Sequence, residues 1–261
     1  MYPFCLVVGL GDLGRNTIAA VQRHFQQQGF SPGETIQFVV FDPQTLGALP
    51  PSTLALPVPA EALPTRRDWH QRFTEQAEVA YDRLRKAVLA CEGILAGAKE
   101  SRTTILHRKV FSVFIVGSLP DPLGSGVLFD VASLVASAAA PWTCFTTAIL
   151  NIEVFFRDLA QEKRDCASVY ASLRELDTLM LPAAPPFGLD FAGRVPVAPR
   201  SRPFDLCYVT TGENHLGTLK TEEQMVAFLG RFLGHCLASP LGVRLEQLWD
   251  DAQVSTAVIP W

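Results

Sequence analysis

Five runs built from apolar, β-branched and aromatic residues punctuate the chain, and the segments between them carry apolar residues at every third or fourth position. Runs of that kind are strands buried on both faces, and amphipathic segments between them are the helices that bury them. The pattern predicts an α/β fold: a Rossmann-like, mainly parallel sheet with helices on both faces. The predicted strands are "FCLVVG" (4–9), "TIQFVVFD" (35–42), "KVFSVFIVG" (109–117), "WTCFTTAIL" (142–150) and "FDLCYVTT" (204–211). Helices are predicted over 13–28, where Ile18, Val21 and Phe25 share a face, and as one or two segments over 68–99. Others span 125–138, which is apolar nearly all round, and 165–180. A last helix opens on Thr221 and Gln224 in capping-box spacing and closes before Pro240.

Two proline-rich stretches, near 47–65 and 181–203, interrupt this alternation. Repeated prolines exclude regular helix and central strand, so both read as surface crossings. Each lies between elements of one sheet, and the expectation is a single domain over 1–261, with two domains as the alternative. The 48% hydrophobic content suffices for a full core at this length. A net charge of −4 with dispersed basic residues argues against nucleic acid as a partner. No apolar stretch is long and unbroken enough for a membrane span, and no secretory signal opens the chain, so a cytoplasmic protein is expected. The six cysteines, Cys5, Cys91, Cys144, Cys166, Cys207 and Cys236, lack the paired spacing of zinc sites and read as buried free thiols. The five histidines are equally dispersed, and no hydrolase or metalloprotease motif occurs.

The chemistry-bearing stretch nearest the N-terminus is "VVGLGDLGRNTIAAV". Gly9, Gly11 and Gly14 sit at the first strand-to-helix turn in the spacing that brings amides and a helix N-terminus onto phosphate. The plain alternative is a tight turn without a ligand. Asp42 ends the second strand where a dinucleotide fold carries its ribose-binding acid, but it stands farther from the last glycine than the usual spacing of about 20 residues. An NAD(P)-dependent oxidoreductase or sensor is therefore one reading, with no candidate acid or base for hydride transfer.

A second set of stretches, taken in order, resembles the nucleotide-binding half of the tubulin and FtsZ superfamily, and bacterial tubulin-like proteins in particular. "VVGLGDLGRNTI" is similar to FtsZ's glycine-rich opening loop, including Asn16, and "FDPQTL" to the stretch holding Asp42 and Gln44. "FIVGSLPDPLGSGVLFDVASLVAS" falls at the glycine-rich signature loop before a long apolar helix. "LRELDTLML", "FDLCYVTTGENHLG" and "EEQMVAFLGRFLGHCLASPLG" resemble a helix, the strand with its asparagine-bearing turn, and the long central helix. The resemblance implies a GTP- or GDP-binding domain, with Mg2+ accompanying the nucleotide, and a partner that is another copy of the chain, as in a filament, or a different protein. It assigns nucleotide contacts to Gly9, Gly11, Asp12, Leu13, Gly14, Arg15, Asn16, Asp42, Gly117, Ser118, Gly124, Ser125, Gly126 and Asn214. Composition alone reads Asn214 as a turn residue and Arg15 as a solvated one.

The signature slot, "GSLPDPLGSG" at 117–126, departs from the family. Pro120, Asp121 and Pro122 replace three glycines and Leu123 a threonine, while Gly124, Ser125 and Gly126 remain. Prolines remove amide donors. A carboxylate pointing inward would repel a phosphate by about 4 kcal/mol at an effective dielectric near 20, worth about three decades of affinity. The expectation is an assembly or scaffolding domain with weakened or lost GTP binding, no catalytic residues and impaired hydrolysis, since no catalytic-loop motif surrounds Asp250 and Asp251. A competent filament-forming GTPase that holds phosphate by another path is the alternative.

Overall fold

The computed structural model describes residues 5–31, 35–42, 53–57, 65–98, 110–140, 142–155, 159–181, 184–214 and 217–238. Among them are the strands β1 (Cys5–Leu10), β2 (Ile36–Asp42), β3 (Thr53–Pro57), β4 (Val110–Ser118), β5 (Thr143–Asn151) and β6 (Leu206–Thr210). They form one parallel sheet in the order β3-β2-β1-β4-β5-β6. The helices are α1 (Gly11–Gln27), α2 (Arg66–Glu75), α3 (Ala77–Ala98), α4 (Pro122–Ala138), α5 (Leu159–Met180) and α6 (Glu222–Ala238). A short antiparallel pair, β7 (Glu213–Asn214) and β8 (Gly217–Thr218), precedes α6.

Strand alternation sorts the core into two layers. Leu6, Val8, Leu10, Val113 and Ile115 point to one face, where α2, α3 and α4 bury them; Cys5, Val7, Phe114 and Val116 point to the other, against α1 and α6. Every residue of β1 is buried, as a central strand covered on both sides must be. Each large apolar side chain so enclosed contributes about 1.5–3 kcal/mol.

All five predicted strands are present. The first proline-rich stretch also supplies a sixth, β3, which the sequence reading leaves as loop. It lies at the sheet edge and ends on Pro57, the kind of position where a missing amide donor is tolerated. Helices begin earlier than periodicity suggests: α1 at Gly11 rather than 13, α4 at Pro122 rather than 125, α5 at Leu159 rather than 165. Pro122 sits in the first turn of α4, where proline's fixed φ suits a helix start. Thr221 caps α6 by accepting from the Gln224 amide at 3.3 Å, and Gln224 accepts from the Lys220 amide at 2.7 Å. Of the six cysteines, all free, Cys5, Cys91 and Cys236 are buried, whereas Cys166 is exposed on α5, contrary to expectation. No described helix is long and apolar enough to cross a membrane. Gln44, Asp250 and Asp251 lie outside the described residues.

Candidate functional site

The strand order reverses direction between β1 and β4, and in open parallel sheets the crevice at the carboxyl ends of such a pair is where ligands bind. Two strand-to-helix turns meet there: Leu10–Gly11 into α1 and 119–121 into α4. Gly9 and Gly14 are accounted for by packing. A β-carbon on Gly9 would stand 2.7 Å from the Gly14 carbonyl carbon, and one on Gly14 would stand 2.7 Å from the Val116 oxygen, so α1 rests directly on the sheet. Gly11 has φ +64, a conformation that favours glycine. It is also where the second turn presses closest, since a β-carbon there would collide with Oδ2 of Asp121.

Asp121 is the N-cap of α4. Its carboxylate accepts from the Leu123 amide at 3.2 Å and the Gly124 amide at 3.3 Å, and its carbonyl accepts from the Ser125 amide at 2.9 Å. Three donors of the helix N-terminus are thus satisfied within the chain. Burial pushes the Asp121 carboxyl up to about 6 against the pull of the two amides, and Asp12 and Asp42 add to the rise. Gly124 is fixed by the close approach of α4 to the Ser118 carbonyl, and Gly126 by α2, with a β-carbon there 2.7 Å from the Arg66 oxygen.

Arg15 is engaged with carboxylates. It pairs with the buried Asp42 at the end of β2 and, at 2.8 Å, with Asp12 one turn earlier on α1. Its Nε reaches Asn16 Oδ1 at 3.4 Å. Leu13 is buried beneath, in the layer shared by α1 and α6. Gly117 and Ser118 end β4, and the Ser118 hydroxyl accepts from Asn151 Nδ2 at 3.3 Å. Asn151, buried at the end of β5, also accepts from the Glu153 amide at 3.1 Å. The backbone of Asn214 pairs with Gly217 in the β7–β8 hairpin. The crevice thus gathers Gly11, Asp12, Leu13, Ser118 and Asp121, while Arg15, Asn16 and Asp42 lie beside it on the α1 and β2 side.

The cavity between these turns measures about 160 Å3. Its lining includes five carboxylates, those of Asp12, Asp121, Glu153, Asp165 and Glu222, and, among the described residues, no lysine or arginine. Asn151, Glu153, Asp165 and Glu222 are functional-site neighbours that sequence reasoning did not single out. Only Asn151 carried a signal, as a polar residue closing an apolar strand.

An open parallel α/β sheet whose crevice is framed by the Leu10–Gly11 turn and the 119–121 turn defines a Rossmann-like domain. A family model described as "Tubulin like" matches residues 68–257, and the chain belongs to that family. No curated protein matches it in sequence. Among solved structures, it is similar to TubZ of Clostridium botulinum phage c-st, at TM-score 0.52 and 8% identity over 89% of this chain and 58% of that one. It is similar to CetZ2 of Haloferax volcanii, solved as a GTPγS-bound protofilament, at TM-score 0.52 and 12% identity over 91% and 59%. FtsZ of M. jannaschii, solved as an empty dimer, gives TM-score 0.50 and 16% identity over 91% and 55%. The chain therefore spans less than two thirds of the length of these relatives.

Proposed function

We propose that this protein is a tubulin-like assembly or scaffolding domain in which GTP binding is weakened or lost, and hydrolysis with it. The observation that carries this reading is the Asp121 carboxylate. It stands on the α4 amides that a phosphate would use and against Gly11, the glycine of the facing turn. A phosphate entering there has to displace a cap worth about 1 kcal/mol and meet a carboxylate of its own charge. The space directly between the two turns is about 160 Å3 and is lined by five carboxylates, a poor match to a polyphosphate. Arg15, one turn into α1 from Gly11, already serves Asp12 and Asp42.

The GTPγS-bound protofilament of CetZ2 and the FtsZ dimer support self-association as the role that outlasts nucleotide binding, with another copy or a different protein as partner. The proposed setting is the cytoplasm and the proposed unit a single domain.

Calorimetry and thermal shift with GTP, GDP, ATP, NAD and NADP, each with Mg2+, test this. The wild-type chain is expected to give no saturable GTP or GDP binding, and Asp121→Gly to gain guanine-nucleotide affinity by at least about tenfold, the worth of one charge-assisted contact. Micromolar GTP affinity in the wild type, abolished by Gly11→Asp, would overturn the proposal in favour of a competent GTPase. NAD binding without GTP binding would do so in favour of a dinucleotide sensor.

A further inference from the structure

On the opposite layer from α1 and α6, a second and larger cleft of about 590 Å3 opens between α2, α4, α5 and the chain at 185–189. One wall is apolar: Phe129 of α4, Leu179 of α5, Phe187 and Leu189. The other is the first turn and a half of α2, which presents Arg66, Arg67 and His70. Asp130, the one charged residue of α4, lies at the edge of the cleft, buried to 1% exposure.

Asp130 fixes the imidazole. Nδ1 of His70 lies 2.9 and 2.8 Å from the two Asp130 oxygens, which leaves Nε2 with no partner among the described residues. The hydrogen bond to Asp130 is the largest influence on His70 and holds it above the ordinary imidazole value, which extends the pH range over which Nε2 carries a proton to donate. Arg66 lays its guanidinium along the floor, with Nη2 donating to Glu175 at 2.6 Å and to the Ser125 carbonyl at 3.3 Å. Its Nε is buried and has no acceptor. A buried donor without an acceptor is costly, and native structures seldom leave one unless a water, ion or ligand completes it. Arg67, exposed at the rim, has no ion-pair or hydrogen-bond partner among the described residues. Arg66 is balanced by Glu175 and His70 by Asp130, so Arg67 is the surplus cation. Arg67 and His70, with Arg66 Nε buried beside them, thus border a cleft whose far wall is apolar and aromatic, and whose volume lies within the range of about 300–1,000 Å3 typical of small-molecule sites.

We propose that this cleft is a binding site for an amphipathic anion, with a carboxylate or phosphate held at the Arg66, Arg67 and His70 end and a flat or branched apolar body laid on Phe129, Leu179, Phe187 and Leu189. The site is separate from the crevice between β1 and β4, but α4 joins the two: Ser125, in the capped first turn, receives the Arg66 guanidinium.

The test uses the whole chain and 8-anilinonaphthalene-1-sulfonate, an aromatic anion whose emission rises in apolar surroundings. Saturable binding of one probe per chain is expected while the near-UV circular dichroism stays unchanged. Arg67→Glu, at an exposed and unpartnered residue, is expected to weaken it by at least about tenfold. Leu179→Glu, on the half-buried opposite wall, should weaken it similarly and so mark both ends of one site. Competition by naphthalene-2-carboxylate and by 2-naphthyl phosphate shows which oxyanion fits better, and neutral 2-naphthylmethanol should compete much less than either. Equal competition by the neutral alcohol overturns the proposal, as does wild-type affinity in Arg67→Glu or in Leu179→Glu. Probe emission that appears only as the near-UV signal is lost overturns it as well.

Discussion

At the scale of single residues, Asp121 carries the strongest consequence. Its carboxyl is raised from 3.8 to about 6 in the folded chain, so the native state holds that proton more tightly than the unfolded state does. Stability from this group is therefore full below about pH 4, declines as pH rises to about 6, and stays reduced above it. The shift of about 2 units corresponds to a penalty of about 3 kcal/mol at neutral pH. Asp121→Asn keeps an oxygen to accept from the Leu123 and Gly124 amides and removes the charge. Urea unfolding followed from pH 4 to 8 should show the variant and wild type converging near pH 4 and the variant more stable by about 1–3 kcal/mol at pH 7. A variant less stable than wild type at neutral pH would mean that the ionised cap stabilises α4 by more than its burial costs. The same residue marks a limit of sequence reading. The sequence shows a negative charge between Pro120 and Pro122, but not that it serves as the helix's own cap and leans on Gly11.

At the scale of elements, the parallel sheet was legible because β1, β2 and β4 are continuous apolar runs that no surface element tolerates. Edge strand β3 was not, since a proline-bearing edge strand lacks both the continuous and the alternating signature. The glycine turns were visible as motifs, yet their roles divide: Gly9 and Gly14 serve contact between α1 and the sheet, and Gly11 serves the turn. The polar stripe of α4 was invisible, because its partners are distant in sequence: Asp130 meets His70, Ser133 Oγ accepts from the Leu189 amide at 3.0 Å, and Ser137 Oγ from the Ala198 amide at 3.2 Å. The glycines of α6 were equally silent. Gly230 and Gly234 let α6 lie on α1, where a β-carbon on Gly230 would sit 2.5 Å from Ala20 Cβ and one on Gly234 2.6 Å from His24 Cδ2. Gly230→Ala tests that reading. Alanine favours the helix by about 1 kcal/mol over glycine, but overpacking against a methyl on a neighbouring backbone costs about 1–3 kcal/mol. Net destabilisation of up to about 2 kcal/mol is expected in chemical denaturation, and a stabilised variant would show that α1 and α6 separate without penalty.

At the scale of the whole molecule, the two layers have different tasks. The layer of α1 and α6 closes over β1 and β4 beside the crevice, and the layer of α2, α4 and α5 carries the cleft of about 590 Å3 with its apolar wall. In a domain that uses nucleotide to control assembly, ligand binding at the crevice has to change the free energy of the assembling form, and a ligand can do so only through differential affinity for it. Here the Leu123 and Gly124 amides are held by Asp121 and the guanidinium of Arg15 by Asp12 and Asp42, and under the proposed function the crevice then offers little that nucleotide could alter. Assembly of this chain is therefore expected to follow protein concentration and not nucleotide. Sedimentation velocity over a series of protein concentrations, with and without GTP and Mg2+, should give association that grows with concentration along coincident curves. Asp121→Gly, which frees the α4 amides, is the variant in which GTP should begin to separate those curves. A wild-type chain that stays monomeric throughout would remove self-association from the proposed role, and one that assembles only on addition of GTP would show that the phosphate path is open despite the Asp121 cap.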